Sequence, residues 1–326
     1  MIKRVFGPVP SRRLGQSLGI DPVPLKTCNW NCVYCQLGRS QMMVNQRENF
    51  YPPDQICAQV QAALETHEPG KIDWVTFVGS GETTLHAGLG EMVRTVKGLT
   101  DLPVAVITNG SLLYLPEVRE ALLPADAVLP SLDAGNADLY RRINRPHPDL
   151  IFQRLLDGLK LFREEYTNQL WIEVMLVRGM NDSEAALMEL ATVLAQIRPD
   201  EVHLVQPTRP PVESWVEPPD EDGLLRARAI LGKVARIIHP ATGVFDLSGA
   251  EDLLDAIIGI LIRHPMKESE LKEALNAWPK DEVGRMLERL EQSGRAKIIE
   301  RQNVRFWRAS EAVFPDREGS DGHVDN

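Results

Sequence analysis

Short apolar runs alternate with amphipathic segments along the first two thirds of the chain. Six runs rich in branched residues predict strands, at 17–21, 73–78, 104–108, 127–132, 170–177 and 201–205. Segments with helical spacing lie between them, at 53–66, 86–98, 116–123, 149–166 and 183–197. Because strand–helix alternation is typical of parallel sheets with right-handed crossovers, the pattern predicts an α/β fold. Six units predict a partial (β/α)6 TIM-type barrel, since eight units need about 250 residues.

Proline then interrupts the alternation. Five prolines fall between 207 and 219, which predicts an irregular loop because proline continues neither a ladder nor a helix interior. The segment 220–238 is amphipathic and predicts one more helix, which would close the domain. Residues 239–249 are expected to be a linker.

The pattern changes again after residue 250. An apolar helix is predicted up to His264, followed by short helices at 269–275 and 280–292 and a β-hairpin over 296–308. Three helices followed by a hairpin are typical of a winged-helix domain. We therefore predict a core domain over 1–240, a winged-helix-like domain over 250–310 and a disordered acidic tail over 311–326.

Composition narrows the cellular setting. The chain of 326 residues has a net charge of −10, which opposes non-specific binding to nucleic acid or acidic membranes. Its apolar runs are shorter than the roughly 20 residues that span a bilayer, so no membrane association is expected. Four cysteines and no signal peptide suit a reducing compartment, and we expect a cytoplasmic protein.

The most informative feature is a group of three cysteines. Cys28, Cys32 and Cys35 have the spacing C-x3-C-x2-C. Three thiolates on one short loop suit a [4Fe–4S] cluster, and the missing fourth thiolate leaves one iron open to a ligand that is not protein. A zinc site with His67 or another histidine as fourth ligand is the alternative, although zinc sites usually show two C-x2-C pairs or a C-x2-C with a spaced histidine pair.

The cysteine loop, with Tyr34 directly before its last cysteine, resembles the radical S-adenosylmethionine (radical SAM) superfamily over residues 15–210. Residues 6–28 resemble an iron–sulfur oxidoreductase group in that superfamily, related to the wyosine tRNA-modification enzymes. The resemblance implies a [4Fe–4S] cluster and SAM as cofactors. It also implies reductive cleavage of SAM, a 5′-deoxyadenosyl radical that abstracts hydrogen from an unknown substrate, and an electron donor such as flavodoxin or ferredoxin.

A glycine-rich turn follows the second predicted strand. It consists of Gly79, Ser80, Gly81, Glu82 and Thr83. Small residues let the backbone approach a ligand and expose its polar groups. The turn resembles the glycine-glycine-glutamate motif that holds the methionyl amino group of SAM, with Ser80 in place of a glycine. A plain tight turn is the alternative.

Polar residues lie at the ends of the next three predicted strands or directly after them, and parallel strands place them at one edge of the sheet. They are Thr108, Asn109, Ser131, Asp133 and Arg178. The resemblance implies ribose contacts at Ser131 and Asp133, and adenine packing near Arg178. An Asn-Gly turn at 109–110 and a helix cap at Asn181–Asp182 are the alternatives.

Basic residues near the expected mouth of the sheet indicate an anionic substrate, because guanidinium groups pair with phosphate and carboxylate. The set is Arg12, Arg13, Arg141, Arg142, Arg145 and Arg209, together with Gln206. Each of these arginines taken singly is more often a solvated surface charge.

Two further observations bear on function. Cys57 lies in a helical pattern and predicts a buried apolar residue, so the second cluster of enzymes that make the wyosine tricycle is not supported. Residues 250–310 contain 11 Lys and Arg and 11 Asp and Glu, which favours a protein partner, with RNA second, over DNA. A tRNA-modifying radical enzyme and an iron–sulfur sensor with a DNA-binding winged helix remain alternatives. Trp278, Phe306 and Trp307 are expected in the core or at a partner contact.

Overall fold

The computed structural model describes residues 3–40, 42–239, 253–275, 278–301 and 303–310. In these ranges the chain forms one eight-stranded sheet and one three-stranded antiparallel sheet. The predicted acidic tail and nearly all of the predicted linker lie outside the described residues. No helix within the described ranges is both long and apolar enough to cross a lipid bilayer.

The strands of the large sheet lie side by side in chain order. They are β1 (Val5–Ser11), β2 (Gly15–Ile20), β3 (Trp74–Phe77), β4 (Val104–Thr108), β5 (Ala127–Pro130), β6 (Gln169–Met175), β7 (Glu201–Val205) and β8 (Ala235–Ile237). Neighbours from β2 to β8 pair in parallel, and β1 pairs with β2 in the antiparallel sense. The predicted α/β fold with a parallel sheet is therefore confirmed, and the six predicted strands are β2 to β7.

Helices pack on the sheet through their apolar faces. They are α1 (Pro53–Thr66), α2 (Leu89–Leu99), α3 (Pro116–Leu122), α4 (Ala137–Asn144), α5 (Phe152–Glu165), α6 (Glu184–Ile197) and α7 (Glu221–Leu231), with a 3₁₀ turn at Thr83–Leu85. Val93 of α2 and Leu159 of α5 are fully buried in the same core as Val106 and Val128 of the strands. Burying such a side chain stabilises the fold by about 1.5–3 kcal/mol. Cys57 of α1 lies in this core, as predicted.

Strand β1 was not predicted, because Pro8 and Pro10 remove ladder donors and weaken a strand pattern. It forms at the edge of the sheet, where one side of the strand needs no partner. Its register with β2 shifts between Phe6 and Val9, which is typical of a bulge at an edge.

One helix prediction was wrong and one helix was missed. The helix predicted over 220–238 ends at Leu231, because Gly232 takes a left-handed φ of +81° and stops it. The chain then continues as β8. Helix α4 was not predicted; it begins at Asn136, whose side chain accepts a hydrogen bond from the Leu139 N–H.

The C-terminal part has the predicted three helices and hairpin. Its elements are α8 (Leu253–Leu261), β9 (Met266–Lys267), α9 (Glu268–Ala274), α10 (Lys280–Gln292), β10 (Ala296–Arg301) and β11 (Val304–Ala309). β11 lies between β10 and β9. Trp307 of β11 and Ile257 of α8 are buried in one cluster with Phe6 and Val9 of β1, so this part packs on the edge of the large sheet. Phe306 is also buried and Trp278 partly so, which agrees with their prediction as core residues.

Candidate functional site

The cysteine loop begins where β2 ends, at the carboxyl edge of the parallel strands. Cys28, Cys32 and Cys35 are free thiols with little solvent exposure, and each has a polar neighbour. The Lys26 ammonium donates to Cys35 Sγ at 2.9 Å, and the Trp30 N–H donates to Cys28 Sγ at 3.4 Å. These donors favour negative charge on sulfur, which a thiolate ligand requires.

Burial opposes that charge while no metal is bound. It raises the pKa of Cys28 to about 11, although the Lys26 ammonium acts in the opposite direction, and it also raises the pKa of Cys32. A bound iron–sulfur cluster provides the positive charge that offsets this cost. Among the described residues, no three His, Cys, Asp or Glu side chains converge as they would on a single metal ion. A cubane offers a separate iron to each thiolate, so its ligands need not converge on one point.

The glycine-rich turn lies directly against the cysteine loop. The Lys26 N–H donates to the Ser80 carbonyl at 2.5 Å, and the Glu82 N–H donates to the Thr27 carbonyl at 2.9 Å. A Cβ added at Gly81 would lie 2.0 Å from the Thr27 carbonyl oxygen, so glycine is required for this approach. The two motifs therefore form one structural unit at the carboxyl edge of β2 and β3.

The Glu82 carboxylate lies inside this unit and does not face solvent. Its Oε1 accepts hydrogen bonds from the Thr84 N–H at 2.9 Å and from the Thr108 hydroxyl at 2.5 Å, and its Oε2 accepts from the Asn109 N–H at 2.6 Å. Burial raises the pKa of Glu82, while these donors act against that rise. Glu82 thus joins the ends of β3 and β4, and Thr108 and Asn109 are among its supports.

A second buried carboxylate joins the cysteine loop to β5 and β6. Asp133 Oδ2 accepts from the Tyr34 hydroxyl at 2.5 Å and from the Asn144 amide at 2.6 Å, while its Oδ1 accepts from the Met175 N–H at 2.8 Å. Burial raises the pKa of Tyr34 well above its ordinary value, so the phenol stays protonated and donates. The Asn144 amide also contacts Cys32 Sγ at 3.7 Å.

The other predicted cofactor residues lie in two places. Ser131 forms a bridge with Glu173 at the carboxyl end of β5. Arg178 is exposed and pairs with Glu217, so the structure places its guanidinium on the surface. Asn181 does not cap α6; its side chain is buried and donates to the Asp133 and Met175 carbonyls, and Ser183 is the cap.

The basic residues predicted to contact substrate lie in different environments. Arg141 and Arg142 lie on the exposed face of α4, not in a loop. Arg145 pairs with Glu213, and Arg13 pairs with Glu173. Arg12, in the β1–β2 turn, and Arg209, in the loop after β7, lie near the C-terminal part. Gln206 begins the loop after β7 and is half-buried.

Two residues of the site were missed in the sequence. Lys26 adopts a left-handed φ of +59° beside the cysteines, and its position next to them was the signal available. Asp21 is fully buried and accepts hydrogen bonds from the Ser80 N–H at 3.0 Å, the Ser80 hydroxyl at 2.5 Å and Arg263 Nε at 2.7 Å. No local pattern indicates that the turn after α8 would provide this last partner.

The proline-rich loop covers the cysteine loop. The Val212 N–H donates to the Cys35 carbonyl at 2.9 Å, and the Glu213 N–H donates to the Val33 carbonyl at 3.2 Å. The Glu213 carboxylate then accepts from Arg39 at 2.6 Å and from Arg145 at 2.5 Å. Burial alone would raise the pKa of Glu213, but these two arginines together hold it below its ordinary value.

We expect Glu213→Gln to lower the free energy of unfolding by about 1–3 kcal/mol at pH 7, because two charge-assisted hydrogen bonds are weakened. A carboxyl group whose pKa is lower in the folded than in the unfolded protein stabilises the fold at a pH above its unfolded pKa, which is near 4.5 here. That contribution is lost as the pH falls through the folded pKa. The difference between variant and wild type, measured by urea unfolding, should therefore shrink below about pH 4.5. Glu217→Gln, on an exposed pair, is the control and should cost less than about 1 kcal/mol.

Comparison with known proteins agrees with this geometry. The family model for the radical SAM superfamily matches residues 23–191, which include both motifs. UPF0026 protein MJ1312 of Methanocaldococcus jannaschii is 36% identical over 275 residues, which are 83% of this chain and 85% of that protein. The chain therefore belongs to the radical SAM superfamily and, within it, to the UPF0026 proteins. Members of the superfamily use a [4Fe–4S] cluster and SAM, and membership implies the chemistry of SAM cleavage.

A longer relative matches as well. GTPase Obg of Brachyspira hyodysenteriae is 37% identical over 298 residues, which are 90% of this chain. The chain spans only 43% of the length of that protein.

One solved structure supports the fold, and a second match is weaker. A radical SAM methyltransferase from Sphaerobacter thermophilus matches with a TM-score of 0.52 and 20% identity, over 68% of this chain and 66% of that chain. A structure of TYW1 with a lysine–pyruvate adduct matches with a TM-score of 0.46 and 15% identity, over 90% and 80% of the two chains.

Proposed function

We propose that this chain is an oxidoreductase that cleaves SAM reductively and abstracts a hydrogen atom from an anionic substrate. The observation that supports this most is the direct contact between the cysteine loop and the glycine-rich turn. Cys28, Cys32 and Cys35 would hold a [4Fe–4S] cluster, and the turn would present SAM to its open iron. When bound, these cofactors supply a 5′-deoxyadenosyl radical that takes hydrogen from the substrate.

In this proposal the backbone of Gly79, Ser80 and Gly81 contacts the methionyl end of SAM. Glu82, Thr83, Thr108 and Asn109 keep that backbone in place, since the Glu82 oxygens already accept protein donors and the Thr83 hydroxyl donates to the Ile107 carbonyl.

The nucleoside end of SAM would lie along the ends of β5 and β6. Ser131 is the proposed ribose contact there. Asp133 would orient Tyr34 within the cysteine loop, because its two oxygens accept from Tyr34, Asn144 and Met175. Arg178 is left out of the proposed cofactor site, because its guanidinium pairs with Glu217 on the surface.

The chain would divide as the sequence suggests, into a core domain over 1–240 with a partial (β/α)6 barrel and a winged-helix-like domain over 250–310. The order helix, short strand, two helices and hairpin supports the second assignment. Equal numbers of basic and acidic residues in 250–310 favour a protein partner over DNA for this domain. An electron donor such as flavodoxin or ferredoxin and a cytoplasmic location complete the proposal, and four free thiols support that location.

The direct test uses anoxically reconstituted full-length protein with SAM and dithionite. We expect methionine and 5′-deoxyadenosine to form in equal amounts, and neither product without dithionite. Protein that holds about four irons per chain but shows no spectroscopic response to SAM and no cleavage would overturn the proposal. If the same protein instead formed a tight, salt-sensitive complex with DNA, it would be an iron–sulfur sensor.

A further inference from the structure

A group of basic side chains lies where α8 and the loop after β7 meet the β1–β2 turn. Arg12 donates to the Thr208 hydroxyl at 2.5 Å, and Arg209 lies 3.0 Å from His264, measured from Nη1 to Nδ1. The Arg209 carbonyl accepts from Arg301 at 3.2 Å, which fixes the backbone there. We call Arg12, Thr208, Arg209 and His264 the interdomain site. The side chains of its three basic residues are half-buried, so they remain reachable from solvent.

Two neighbouring arginines, Arg13 and Arg263, are neutralised by carboxylates, whereas the two arginines of the interdomain site are not. Arg13 pairs with Glu173, and Arg263 pairs with Asp21. In the part of the chain that the structure describes, no carboxylate lies within 4.0 Å of Arg12 or Arg209. The charge of Glu270 acts on both Arg12 and Arg209 and favours their charged forms. Its Oε2, however, already accepts a hydrogen bond from the Lys267 N–H at 3.0 Å.

The contact with Arg209 sets the protonation of His264. A guanidinium has only donors, so His264 Nδ1 must accept and its proton must lie on Nε2. Burial lowers the pKa of His264 well below its ordinary value, and the charges of Arg209, Arg263 and Arg12 lower it further. The neutral ring therefore accepts from Arg209 on Nδ1 and adds no positive charge of its own beside the two arginines.

A bound anion would stabilise this arrangement of charges. Burial lowers the pKa of Arg209 to about 10, and the like charge of Arg12 adds to that effect. Partly buried charges in proteins are normally paired, because desolvation penalises an unpaired one. Two guanidinium forks and a hydroxyl are the donor types that bind oxyanions.

We propose that Arg12 and Arg209 bind an oxyanion, a carboxylate or a phosphate, of the substrate, with the His264 ring holding Arg209 in position through Nδ1. This inference rests on the proposed function for its link to catalysis, whereas the site itself is testable without catalysis. The C-terminal part, through His264, would then complete the substrate site of the core. Arg13, next to Arg12 in the sequence, pairs with Glu173. Glu173 in turn forms a β-bridge with Ser131, the proposed ribose contact.

The test is calorimetric titration of the reconstituted full-length protein with inorganic phosphate and, separately, with malonate. We expect saturable binding of one of them, weakened about tenfold or more in Arg12→Gln and in Arg209→Gln, since each variant removes a charge-assisted contact. Tighter binding of phosphate would assign a phosphorylated substrate, and tighter binding of malonate would assign a carboxylate. Arg94→Gln, on the exposed face of α2, is the matched control and should bind like wild type.

A second readout separates binding from a structural role. We expect the bound anion to raise the pKa of His264, because its negative charge offsets the charges of the three nearby arginines. NMR of the imidazole measures this pKa, and the His264→Asn variant assigns the signal. Arg12→Lys keeps the charge and should retain part of the affinity, and melting curves confirm that each variant is folded. Wild-type protein that binds neither anion, or Arg12→Gln and Arg209→Gln variants that bind as tightly as wild type, would overturn the inference. Neither result would bear on the proposed function, because SAM cleavage is measured in a separate experiment.

Discussion

Cys28→Ser is expected to abolish both cluster binding and SAM cleavage in the full-length protein. A serine hydroxyl is a hard and weakly acidic ligand, so it does not replace a thiolate on iron. Iron after anoxic reconstitution should fall from about four per chain to less than one, and 5′-deoxyadenosine should become undetectable. Cys32→Ser and Cys35→Ser should give the same result, because a cubane with a single open iron needs all three thiolates.

Cys57→Ser is the matched control, because it makes the same chemical change in the core of α1. It should keep the iron content and the cleavage rate of wild type, with at most a modest loss of stability. Full iron loading in Cys28→Ser, or equal loss of iron in Cys57→Ser, would contradict the assignment of the cluster to the cysteine loop.

Arg263→Gln is expected to lower the free energy of unfolding by about 3–5 kcal/mol, because it leaves Asp21 buried without its partner. The pair is well shielded, with side chains exposed by 7% for Arg263 and 0% for Asp21. Asp21 also accepts hydrogen bonds from the N–H and the hydroxyl of Ser80. SAM binding should therefore weaken roughly tenfold, as is usual for residues that position a ligand site. Urea unfolding and SAM titration of the reconstituted protein measure the two effects.

The double variant Asp21→Asn/Arg263→Gln removes the stranded charge and should recover part of the lost stability, since two neutral amides can hydrogen-bond. Arg295→Gln in the same C-terminal part breaks an exposed pair with Asp255 and should cost less than about 1 kcal/mol. If Arg263→Gln unfolded like Arg295→Gln, the pair would not couple the C-terminal part to the core.

Features that depend on residues close together in the sequence were predictable. The spacing of Cys28, Cys32 and Cys35 and the run of small residues after β3 were visible because both motifs are short and continuous. The strands β2 to β7 were visible because apolar runs and turn residues alternate. Strand β1 was hidden by its prolines, and β8 is only three residues long, too short to show a period.

The roles of the polar residues were less accessible, because burial decides them. Glu82 and Asp133 read as ligand contacts in the sequence, yet in the structure they accept from donors on other strands and loops. Asn181 read as a helix cap, yet it links two carbonyls in the interior. Which partner a carboxylate or amide meets depends on strand order and register, which local periodicity does not encode.

The sequence by itself determined the class of fold, the cysteine and glycine motifs and hence the superfamily, because each of these is written in residues a few positions apart. Only the tertiary structure decided that the cysteine loop and the glycine-rich turn touch, and that Arg263 meets Asp21 across 242 residues of chain. It also decided that Arg12, Arg209 and His264 come together. Contacts of this kind arise when the sheet and the C-terminal part pack, since hydrophobic burial selects the arrangement and the polar partners follow from it.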